Sequence, residues 1–99
     1  MKAAIIFSGT GPILILTTYD SLTHPAFIKK LTAKGMPKYI AIELPVETVK
    51  ERYGDNFNIV MEDLHQTDDL RVLDYNGHSI LNAFPLKEWG RPIPYEPES

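Results

Sequence analysis

There is no cysteine among the 99 residues of this chain. Disulfides, thiolate nucleophiles, iron–sulfur clusters and Cys-ligated zinc are excluded by composition, and a reducing compartment is allowed. Long apolar runs are missing as well. Ala3 to Phe7 follows Met1-Lys2 with five apolar residues, and Ile13 to Leu16 has four. Neither approaches the roughly 20 residues of a membrane-spanning helix, nor the apolar core of a signal peptide. Basic runs are equally scarce: Lys and Arg are scattered apart from Lys29-Lys30, and 13 acidic against 10 basic residues give a formal charge of −3. A nucleic-acid binder displaces counterions from phosphates with a basic stripe, and the sequence has none. These absences predict a cytoplasmic protein with neither a membrane nor a nucleic-acid partner.

What is present suits one small core: 43% of residues are hydrophobic and 10% aromatic, enough apolar volume for a single domain without metal or disulfide staples. The expected domain runs from 1 to 90, with a proline-rich tail over 91–99 that carries Pro92, Pro94 and Pro97. Trp89 and Tyr95 give that tail something to pack. It reads as an extended segment laid across its own domain, the alternative being an arm exchanged with a second subunit.

Ala3 to Phe7 and Ile13 to Thr18 read as two strands. Between them lies Ser8-Gly9-Thr10-Gly11-Pro12. In a phosphate-binding loop the glycines lead into a helix, whose N-terminus supplies free N–H groups; here they lead into Pro12 and another strand, so a tight reversal is predicted. A first helix follows around Pro25 to Lys34, with Thr23 as N-cap and Gly35 beyond its end. Lys38 to Leu44 reads as a third strand, and Pro45 opens a second helix, Val46 to Tyr53, closed by Gly54. Phe57 to Glu62 reads as a fourth strand. Leu70 to Tyr75, then Asn76-Gly77, then His78 to Phe84 carries the pattern of a hairpin with a type I′ turn. The alternation of strands and helices predicts an α/β fold, with α+β as the alternative. Its order is ββαβαβββ: a mixed sheet with parallel central strands and two helices.

Parallel strands gather ligands outside their carboxyl ends. On that topology Asp20, Glu43, Asp63 and His65 share one rim, which can hold a divalent cation through oxygen ligands or divide an acid–base pair between them. Each has a plainer account: Asp20 opens a turn, and Glu43 is an ordinary strand-end charge. His65 and His78 lack the close spacing of a metal motif, so no metal site and no cofactor is expected. Ser8, Ser21, Ser79 and Ser99 lack the glycine-flanked elbow of a serine nucleophile. Asp68-Asp69 is read as solvated, or as capping the turn ahead of Leu70.

The runs KYIAIELPVETVKERYG (38–54) and DDLRVLDYNGHSI (68–80) together resemble a group of short, uncharacterised bacterial cytosolic proteins with no established activity. The resemblance implies a bacterial cytosol and nothing about site residues. The expectation is a small non-catalytic binding or regulatory module that self-associates, with a homodimer or an unknown protein or small molecule as partner. The alternative is a small enzyme or ligand-binding protein that uses the acidic rim.

Overall fold

The computed structural model describes residues 1–9, 11–66 and 69–96. Its elements are β1 (Lys2–Phe7), β2 (Pro12–Thr17), α1 (Pro25–Ala33), β3 (Tyr39–Leu44), α2 (Val46–Tyr53), α3 (Asp55–Gln66), β4 (Leu70–Asp74), α4 (Gly77–Ala83), a 3₁₀ turn (Leu86–Glu88) and β5 (Pro92–Tyr95). The five strands form one sheet in the order β4-β2-β1-β3-β5.

Every neighbouring pair in that sheet is antiparallel, so the expected parallel centre is absent. The reason lies in β1. Ala3, Ala4, Ile5 and Ile6 are wholly buried, and a strand with no polar face belongs in the middle of a covered sheet, paired on both sides. β2 and β3 both run opposite to β1, one on each side of it. They therefore share a direction, and α1 connects them across β1, but they never meet as neighbours.

Two further expectations fail on local chemistry. Residues 57–62 are not a fourth strand but part of α3. Phe57 and Leu64 are buried and Val60 and Met61 pack beside them, an i, i+3, i+4, i+7 stripe that marks a helix face. The apolar Ile59-Val60-Met61 run resembles a strand only in a short window, and Ile59 is left in solvent. Residues 76–84 are likewise not a hairpin arm. Asn76 caps α4, its Oδ1 accepting from the N–H groups of His78 at 3.1 Å and Ser79 at 3.3 Å. Gly77 is needed for close approach instead of a turn: a Cβ there would stand 2.5 Å from Cδ of Pro12. Asn-Gly thus starts a helix against the β1–β2 hairpin. Among the described residues there are four α-helices where two were expected.

The chain does reverse between β1 and β2, with Phe7 opposite Pro12. Gly9 (φ 93°) and Gly11 (φ 100°) take the left-handed conformations the reversal requires, while Thr10 lies outside the described residues. α1 begins with Pro25 at its first position, and His24 caps it, Nδ1 accepting from Ala26 N–H at 3.0 Å. The expected Thr23 cap is displaced by one residue.

The sheet has a core on each face. On one, Ala4, Ile6, Ile15 and Ala41 pack beneath Phe27 and Leu31 of α1. On the other, Ile5, Leu14 and Leu16 lie under Val49 of α2, Phe57 and Leu64 of α3 and Ile80 of α4. Each such Leu, Ile or Phe contributes roughly 1.5–3 kcal/mol by leaving water. The chain from Phe84 to Gly90 then crosses the second face. Trp89 Nε1 donates to Phe84 O at 2.7 Å, and Gly90 N–H donates to Glu43 O at 3.0 Å. That crossing delivers Pro92–Tyr95 to the open side of β3 as β5.

Candidate functional site

On the second face α4 reaches the hairpin end of the sheet on the β2 side, where Gly77 meets Pro12, and the β3 side of that end is more open. There Phe7 of β1 pairs with Ile40 of β3, and Ile40 with Pro94 of β5. Residues paired across strands project to the same face, so these three form an apolar row over three strands. The indole of Trp89, 5.9 Å from the Phe7 ring, marks where the cover ends. Beyond it Ile40 is 42% exposed, high for an isoleucine in a strand paired on both sides.

The row floors a cleft of about 550 Å³, walled by Ser8 and Gly9 of the hairpin turn and by Pro37 ahead of β3. That volume falls in the range of roughly 300–1,000 Å³ typical of small-molecule sites. Among the described lining residues charge enters at the mouth. Lys38 Nζ and Glu96 Oε1 are 2.6 Å apart and both side chains are 69% exposed. Their hydrogen bond, reinforced by charge, holds Glu96 below the usual carboxylate range and Lys38 above the usual lysine range. Tyr39 and Tyr95 stack nearby, ring centres 5.3 Å apart. Burial pushes the Tyr39 hydroxyl up to about 12, and its Oη has no hydrogen-bond partner among the described residues.

Of the residues expected to form an acidic rim, Asp20 and Glu43 lie away from this cleft. Asp20 is 99% exposed, with Oδ1 3.6 Å from the Met1 amine. Glu43 Oε2 lies 3.5 Å from Lys2 Nζ. Both carboxylates therefore sit by the start of β1, at the opposite end of the sheet from the cleft, each answered by a cation. Asp63 and His65 fall on α3, not at the end of a strand, and their side chains lie outside the described residues. The topology that was to gather the four is gone. Among the described residues no group of three His, Asp, Glu or Cys side chains can hold a metal ion. Asp68 lies outside the described residues, and Asp69 ties β4 to the end of β2. Its carboxylate accepts from Thr18 Oγ1 at 2.8 Å and Tyr19 Oη at 3.4 Å, and its carbonyl from Thr17 Oγ1 at 2.6 Å.

Comparison with family models, curated proteins and solved structures found no match for this chain. The site must be read from its own geometry. Among the described residues the lining of the cleft contains no histidine, and its one hydroxyl outside the tyrosines is that of Ser8. What remains is an apolar floor with one ion pair at the rim, an arrangement suited to holding a ligand by burial and orienting it by charge. Sequence reasoning missed Lys38, Ile40, Pro94 and Glu96 because β3 and β5 meet across some fifty intervening residues.

Proposed function

We propose that this protein is a small binding module that takes an apolar ligand in the cleft floored by Phe7, Ile40 and Pro94. The half-exposed Ile40 at the centre of a three-strand apolar row carries the reading. A solvent-facing apolar row recessed into a cleft gains by covering, whereas scattered single apolar residues do not need it. The test is binding of the fluorophore anilinonaphthalene sulfonate. Ile40→Asp should weaken it by about tenfold or more, as expected for losing one buried aliphatic contact. Leu86→Asp, at a residue 78% exposed and outside the cleft, should leave it unchanged. Equal dye binding by both variants would remove the cleft as the site.

A further inference from the structure

We propose that the cleft selects a zwitterion: a free amino acid with an apolar side chain, its carboxylate taken by Lys38 and its ammonium by Glu96. This rests on the cleft reading above and names the ligand class. Both charged groups stand at the same mouth, in contact at 2.6 Å, above a floor that is wholly apolar. A ligand with a single charge would satisfy one partner and strip the other. An amino acid carries its two charges on one carbon, so it can replace the existing pair with two new ones while its side chain lies on Ile40 and Pro94. Opening the pair costs little, because both groups are well exposed and a surface ion pair is weak. Once an apolar side chain shields the mouth from water, the two new pairs strengthen.

The probes are phenylalanine, phenylalanine amide, which lacks the carboxylate, and phenylpropionate, which lacks the ammonium. Binding is read by calorimetry and by the fluorescence of Trp89, the only tryptophan in the chain. Phenylalanine should bind, and each analogue should bind about tenfold more weakly, the usual effect of losing one charge-assisted contact. Lys38→Ala should abolish the preference for phenylalanine over its amide, and Glu96→Gln the preference over phenylpropionate. Both positions are exposed, so neither change threatens folding. If all three probes bind alike, or phenylalanine does not bind while the dye still does and still responds to Ile40→Asp, the zwitterion inference is wrong and the apolar cleft stands. If the dye too ignores Ile40→Asp, both fall.

Discussion

The surroundings of Tyr39 and Tyr53 strongly disturb their chemistry. Both hydroxyls are pushed up to about 12, Tyr39 chiefly by burial and Tyr53 by burial and by Asp74, whose Oδ2 lies 3.2 Å from its Oη. A tyrosine harder to ionise folded than unfolded stabilises the fold below its ordinary value of 10.0. That contribution is lost as pH climbs from 10.0 towards about 12, because the unfolded chain ionises first. Urea midpoints should therefore fall across this window, and the fall should be shallower in Tyr39→Phe. The two tyrosines part company near neutrality. The Tyr53 hydroxyl has a partner, whereas that of Tyr39 is buried without one among the described residues, so Tyr39→Phe should raise stability by up to ~1 kcal/mol. A loss of stability in that variant would mean the hydroxyl is satisfied after all.

At the level of elements, the junction between Gly77 and Pro12 is the sharpest constraint. Gly77→Ala should cost roughly 1–3 kcal/mol, the usual range for forcing extra volume into a packed contact. Because the clash is with the proline ring, the double variant Pro12→Ala/Gly77→Ala should cost less than the sum of the single changes. Simple additivity in denaturant melts would show that the close approach is not what position 77 demands. The same junction shows why part of the fold was legible and part was not. β1, β2, α1, β3 and α2 follow from local signals: short apolar runs, Pro25 and Pro45 at helix starts, glycines where the chain must turn. Asn76-Gly77 has two chemically sound readings, hairpin turn or capped helix. Only Pro12, far off in sequence, decides between them. Phe57 to Leu64 was open to a helical reading over a longer window. The cleft was not legible, since its walls come from β1, β3 and β5 and only tertiary pairing brings them together.

For the molecule as a whole, the two edges of the sheet govern how it meets its neighbours. Proline nitrogen bears no hydrogen, so the ladder from β5 to β3 runs through Ile93 and Tyr95, and the outward positions 92 and 94 offer no donor. The other edge, β4, is interrupted by a bulge at Leu73 and carries an exposed Arg71. Both devices hinder strand-to-strand pairing between copies. Pro92→Thr/Pro94→Val should restore the missing donors and add concentration-dependent association in light scattering; a scattering profile identical to that of the parent would show that the prolines do not guard the edge. Until β5 docks, however, β3 is itself an edge: Tyr39–Leu44, six residues with no proline and only one charge. Its cover is supplied by residues 92–95, which are synthesised well after it. On the ribosome this strand therefore stays bare until residues 92–95 emerge, and a product cut short before Pro92 would be born sticky.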